Sequence, residues 1–282
     1  MSLHTIRNEY LTVTVSSLGA ELQSIVDKNG VERIWQGDPA FWTGRAPVLF
    51  PVAGGFRDDC YELNGVTYPM AKHGIVRKME FQPETVENER LVLLTTETTE
   101  GFPFAYEFRV VYRLSGASLT ISYDTVYTDT KPFWFSVGAH EAYATPEGIE
   151  AYEIAFDEPE QLDNSTLVGN LIRREPVTMM ANATALPLKY EYFAVDALVF
   201  RSLKSRGVTL RSKLHPREIR VDFPEHGVLM FWTKPGAGYI CIEPWCNAPD
   251  FVDAEHRIET KPGFMELLPG KTISRQHTIT VK

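Results

Sequence analysis

Phe104-Ala-Tyr-Glu-Phe-Arg-Val-Val-Tyr-Arg-Leu114, then Ser115-Gly-Ala-Ser118, then Leu119-Thr-Ile-Ser-Tyr-Asp-Thr-Val-Tyr127 is the stretch that decides the fold class. Both outer runs alternate apolar and polar side chains with period two, the pattern of a strand with one buried face. The residues between them are small and include a glycine, so the pair reads as an antiparallel hairpin. Similar short runs recur at Leu11–Val15, Leu91–Thr96, Ala197–Phe200, Val208–Leu210, Val228–Thr233, Tyr239–Ile242 and His277–Val281. Asp27-Lys-Asn-Gly30 and Asn64-Gly65 supply tight turns. Helical periodicity is almost absent. Asp38-Pro-Ala-Phe-Trp42 predicts a single helical turn, with Asp38 as N-cap and Pro39 at the first position. Strands at this regular spacing predict an all-β fold, a large antiparallel β-sandwich with very little helix, and disfavour βαβ units.

The bulk properties narrow the function. At 44% apolar residues over 282 positions, the chain can bury a sizeable core. Its eighteen prolines are scattered and no repeat is visible, so one domain over 1–282 is expected. Net charge is −9 with the two signs interspersed. Without a lysine- or arginine-rich block, the chain has no surface for nucleic acid or for an anionic membrane. No apolar run approaches the ~20 residues that span a bilayer. Met1-Ser2-Leu3-His4-Thr5 lacks the basic and apolar regions of a secretory signal. Cys60, Cys241 and Cys246 are odd in number and lack metal-ligand spacing, so no metal is expected and a reduced, cytoplasmic protein is the simplest account.

One carboxylate is out of place. In Tyr239-Ile-Cys-Ile-Glu-Pro-Trp245, Glu243 sits in an apolar strand that proline and an indole then bring to an end. A strand interior disfavours an ionisable group unless something pairs with it or uses it. The alternative is an outward-facing glutamate on a half-exposed strand, since charged residues mostly sit outside.

Among the seven histidines, His4, His226, His256 and His277 have polar neighbours and read as solvent-facing, and His215 lies in a basic turn. His73 and His140 differ. His73 precedes Gly74, which permits unusual backbone angles or the close approach of a ligand. His140 ends the aromatic run Phe133-Trp-Phe-Ser-Val-Gly-Ala139. A histidine leaving a buried strand beside a clearing suits acid–base work, because its ordinary pKa is near neutrality.

Taken together these pieces resemble the aldose 1-epimerase (galactose mutarotase-like) family, its LacX-like branch most closely. The resemblance runs through Arg45-Ala-Pro-Val-Leu-Phe-Pro51, Asp58–Tyr68 leading into His73-Gly74 and Arg77, Gly138-Ala-His140, Asp196-Ala-Leu-Val-Phe200 and Cys241-Ile-Glu-Pro-Trp245. It implies a galactose mutarotase-like supersandwich and a cofactor-free isomerase that interconverts the α and β anomers of a free aldose. By that resemblance Glu243 is the general base at the C1 hydroxyl and His140 the general acid at the ring oxygen. His73 hydrogen-bonds near that oxygen, and Asp196 holds sugar hydroxyls. Arg45, Arg57 and Arg77 are candidates for contacting the sugar. Trp245, Trp134 or Phe135 can offer its ring an apolar face.

Two departures stand out. The family's Gly-Arg after the Phe-Pro motif is here Gly54-Gly55, so glycine replaces an arginine that helps position the sugar, and Arg57 is the nearest substitute. The proline expected after the histidine is Glu141, which either folds back to raise the pKa of His140 or points to solvent. These leave room for other readings. A hexose-6-phosphate epimerase needs an arginine cluster for the phosphate, and a non-catalytic carbohydrate-binding module can share the fold. Glu243 with Asp196 or Glu141 can also be paired as a glycosidase pairs its carboxylates, a poor fit to the matched histidines.

Overall fold

Ser115 and Ser118 face each other across a Gly116-Ala117 turn, so Tyr106–Ser115 and Ser118–Tyr127 form the hairpin that their alternation predicts. The computed structural model describes residues 1–282. The hairpin belongs to a 13-stranded antiparallel sheet. From one edge its order is Glu141–Ala144, Tyr239–Trp245, Val228–Trp232, Leu198–Phe200, Tyr152–Asn164, Gly207–Ser212, Glu218–Asp222, Thr272–Val281, then the hairpin, Arg90–Thr95 and Gln82–Val86. Twist does not let so long a sheet stay flat, and it curls to enclose a core. A cluster of 62 buried apolar residues, from Ile6 to Val281, fills the interior. A three-stranded N-terminal sheet, Leu3–Arg7, Leu11–Ser16 and Leu22–Asp27, contributes to the same core. Helix is confined to five 3₁₀ turns.

The turn expected at Asp38 forms as a single closed turn. Asp38 Oδ1 accepts the Ala40 N–H at 2.9 Å, and the Asp38 carbonyl accepts the Trp42 N–H at 2.9 Å. The long pair Tyr152–Asn164 and Val177–Pro187 escapes the period-two reading because its register shifts between Ala155 and Glu160, and twice more before Asp163. A bulge at each shift breaks the alternation on which that reading depends.

Pro244 does not end its strand. Tyr239–Trp245 is ladder-paired throughout, with Leu229 opposite Pro244 and Met230 opposite Glu243. On the other side the Ala139 N–H donates to the Pro244 carbonyl at 3.0 Å. An antiparallel pair of this kind normally exchanges a second bond, which proline cannot donate. The Trp245 indole Nε1–H takes that place and donates to the Ala139 carbonyl at 2.9 Å. Proline is thus tolerated inside the sheet because the next side chain repairs the ladder, and the repair anchors the residue before His140.

Glu141 faces neither His140 nor solvent. It is 2% exposed, and its Oε1 lies 3.1 Å from Nε2 of His277. Six strands separate the two in the sheet order, so the contact ties together opposite parts of the curled sheet across the core. His277 and His226, read from the sequence as solvent-facing, are 0% and 2% exposed. Polar sequence neighbours misled that reading, because in a strand they point to the other face. Tyr123 stacks on His277 at 5.9 Å, and His226 lies edge-on at 6.2 Å. Replacing Glu141 by alanine leaves a buried ring nitrogen without its partner and opens a void, a loss of about 3 kcal/mol. Urea denaturation is expected to show that loss as a lower midpoint with an unchanged m-value. Unchanged stability would contradict a structural role for the Glu141–His277 contact.

Candidate active site

Strand alternation puts Tyr239, Cys241, Glu243 and Trp245 on one face of their strand and Ile240 and Ile242 on the core face. The neighbouring strand is in register, Glu141 opposite Ile242 and Ala142 opposite Cys241, which brings His140 beside Glu243. His140 Nε2 lies 3.4 Å from Glu243 Oε2. The Glu243 side chain is 2% exposed and Oε2 has no hydrogen-bond partner. Nδ1 of His140 also lacks one. The two groups form the floor of a cavity of about 340 Å³, near the lower end of the ~300–1,000 Å³ usual for small-ligand sites.

His73, Asp196, Arg77 and Trp245 line the same cavity. His73 adopts a left-handed backbone, with φ 68°. Gly74 follows at φ 70°, and a Cβ there would come within 2.1 Å of the Phe50 carbonyl. Only glycine fits that approach. Nδ1 of His73 accepts the Gly54 N–H at 3.1 Å, so the neutral ring carries its proton on Nε2. Asn247 braces this loop, its Oδ1 accepting the Ala53 N–H and its Nδ2 donating to the Ala53 carbonyl. Asp196 makes no ion pair, and its Oδ1 accepts the Ala197 N–H at 2.8 Å.

Other expected contacts fall elsewhere. Arg45 turns away from the cavity, its Nη1 donating to Gln23 Oε1 at 2.7 Å and its Nη2 to the Gln36 carbonyl at 2.9 Å. Arg57 donates to the Ala254 carbonyl at 2.6 Å and pairs with Asp58 at 3.1 Å. It therefore does not stand in for the missing arginine. A Cβ on Gly55 would sit 2.9 Å from Cβ of Asn170, so this asparagine fills the space where an arginine stem would run. Asn170 lies on the turn between Leu167–Val168 and Leu171–Ile172 and itself lines the cavity. Trp134 and Phe135 pack with the main core and do not reach the cavity. Trp42, from the Asp38 turn, stacks on His140 at 5.1 Å, and Trp232 meets it edge-on at 5.9 Å. An N-capped turn delivering an indole was the available signal for Trp42. Lys72, which also lines the cavity, is carried there by its neighbour His73, whereas Asn170 had no signal, since a distant segment brings it here.

Burial sets the proton affinities. Desolvation lowers His140 to about 3 and holds His73 well below its ordinary range. Desolvation also raises Glu243 well above 4.5, with the charge of Lys72 opposing that rise. Both members of the pair therefore favour their uncharged forms.

A sequence model described as aldose 1-epimerase matches residues 2–280. The chain belongs to the aldose 1-epimerase family. Protein LacX (plasmid) of Lactococcus lactis subsp. lactis is 35% identical over 98% of both chains. A galactose mutarotase related enzyme from Lactobacillus acidophilus superposes with a TM-score of 0.93 at 28% identity, over 100% of this chain and 97% of that one. A galactose mutarotase-like protein from Lactobacillus casei ATCC 334 gives 0.93 at 26% identity over 100% of both. The fold is thus the galactose mutarotase-like sandwich. No helix is long and apolar enough to cross a membrane.

The raised Glu243 pKa links to stability. Because the folded value lies above the unfolded one, the carboxyl weakens the fold progressively as pH climbs from about 4.5 toward the folded pKa. Glutamine does not titrate. Glu243→Gln is expected to raise the melting temperature, by more at pH 8 than at pH 5. A difference independent of pH between those values would contradict the assignment.

Proposed function

We propose that the protein is an aldose 1-epimerase, interconverting the α and β anomers of a free hexose or a related aldose by acid–base ring opening. The observation that carries this reading is the 3.4 Å contact between His140 and Glu243 on the floor of a monosaccharide-sized cavity. Anomer exchange must take a proton from the C1 hydroxyl and deliver one to the ring oxygen. Both oxygens are carried by the same carbon, so the acid and the base must be close neighbours.

Ring opening uses the pair in its charged forms, Glu243 as carboxylate and His140 as imidazolium. Sugar hydroxyls entering the cavity solvate these charges, and Lys72 favours the carboxylate. Glu243 then removes the C1 hydroxyl proton while His140 protonates the ring oxygen, and the C1–ring oxygen bond breaks to leave the open-chain aldehyde. Rotation about C1–C2 presents the other face of the carbonyl. On closure the former ring oxygen attacks C1 and returns its proton to His140, and Glu243 protonates the new C1 hydroxyl. No proton is gained or lost. His73 Nε2–H is available to hydrogen-bond near the ring oxygen, Asp196 and Asn170 to hold sugar hydroxyls. Trp42 covers the His140 ring.

Polarimetry on glucose, galactose and other aldoses tests this reading. Glu243→Gln or His140→Gln is expected to slow mutarotation by ~10²–10⁴-fold. Wild-type protein no faster than Glu243→Gln on every sugar would end it. Lys72 and Arg77, both lining the cavity, favour a second reading in which the substrate is an anionic sugar, so glucose 6-phosphate belongs in the same assay.

The pH profile of kcat/KM reports the free pair. Its acid limb is set by His140, lowered to about 3, and its alkaline limb by the raised Glu243. The charge of Lys72 lowers both. Lys72→Met should therefore move the alkaline limb to higher pH, and a limb that stays in place would remove Lys72 from the electrostatics of the pair.

A further inference from the structure

We propose that the cavity floor is also a binding site for one thiophilic divalent cation of the zinc class, held by His140, Cys241 and Glu243, which excludes the sugar when bound. Cys241 and Glu243 are two residues apart on the same strand and so present their side chains on the same face. His140 comes from the chain paired alongside. A ring nitrogen of His140, Sγ of Cys241 and a carboxylate oxygen of Glu243 all lie within 4.8 Å of one another.

The donor set selects the ion. One imidazole nitrogen, one sulfur and one carboxylate oxygen suit zinc and its softer neighbours, whereas magnesium and calcium require oxygen ligands. Three protein ligands leave a fourth tetrahedral position, and two of the three residues, His140 and Glu243, line the cavity. An independent observation favours a ligand at this place: Glu243 Oε2, on a side chain only 2% exposed, is buried without a hydrogen bond. Cys241 is 0% exposed, is a free thiol, and lies in an apolar pocket bordered by Trp42 and Trp232. Such a shell excludes competing water and fixes ligand orientation. The paired strands on both sides hold two of the ligands on a rigid backbone.

On coordination the Cys241 thiol and the Glu243 carboxyl each release a proton to solvent, and the metal takes the lone pairs of the thiolate, the carboxylate and the neutral His140 ring. Under the acid–base reading, on which this consequence rests, the last two are the lone pairs needed to move protons. The ion is therefore an inhibitor. Binding itself does not depend on that reading. The sequence carries no metal-ligand spacing because the ligands come from segments a hundred residues apart, and only the register of two strands joins them.

Cobalt(II) titration of untagged protein tests the site. We expect saturation at one ion per chain, with a thiolate-to-cobalt charge-transfer band in the near ultraviolet that zinc abolishes by displacement. The band should vanish in Cys241→Ser and persist in Cys60→Ser and Cys246→Ser. Glu243→Gln, close in shape to wild type, keeps the thiolate but loses a ligand, and should weaken cobalt binding by about tenfold or more. Zinc should suppress mutarotation by wild type but not by Cys241→Ser. Absence of the band, or its persistence in Cys241→Ser, would overturn the site. Should Cys241→Ser fail to fold, undiminished cobalt affinity in Glu243→Gln overturns it equally. A cobalt band in a protein that does not accelerate mutarotation would overturn the epimerase reading and leave the metal site standing.

Discussion

Holding the Glu243 carboxyl almost wholly buried, with its Oε2 left without a hydrogen bond, is the constraint on which the rest of this structure depends. Burying an unpaired ionisable group costs several kcal/mol and drives it toward its neutral form. A flexible segment would relax to hydrate the group. Here the segment cannot relax, because Tyr239–Trp245 is paired on both sides and packs its alternate residues into the main core. The large sheet holds one reactive group on the floor of the cavity with only 2% of its side chain exposed.

His140 is subject to the same constraint from the adjacent strand. Its ring lies under Trp42 and beside Trp232, and its position follows from Ala139, which is held by the Pro244 carbonyl and by the Trp245 indole. Acid and base thus sit on rigid ladder elements. The walls facing the remainder of a ligand come from turns, among them the Asp38 turn and the one carrying Asn170. Turns vary more readily than ladders. The Gly55 and Asn170 exchange is a case in point, because loss of a side chain on one loop is matched by a side chain from another.

Much of this was legible in the chain before folding was considered. Period-two alternation identified the Tyr106–Tyr127 hairpin within one or two residues, and the Asp38-Pro39 pair marked the turn that carries Trp42. The oddity of Glu243 was visible as a charge in an apolar run. Other features were not. Nothing local distinguishes His277, buried against Glu141, from a surface histidine, and nothing in Arg45 reveals that Gln23 and Gln36 already occupy it. Pro244 read as a strand end because its missing donor is repaired by the following indole, an arrangement that depends on Ala139.

The sequence by itself determined the all-β class, the unusual carboxylate and the two histidines set beside glycines, since each follows from side-chain periodicity or backbone freedom within a few residues. The tertiary structure alone decided which groups meet. Strand register put His140 and Cys241 beside Glu243, and loop packing put Asn170 where an arginine was expected. It also set the protonation of the pair, because desolvation is a property of the surroundings and has no trace in local sequence.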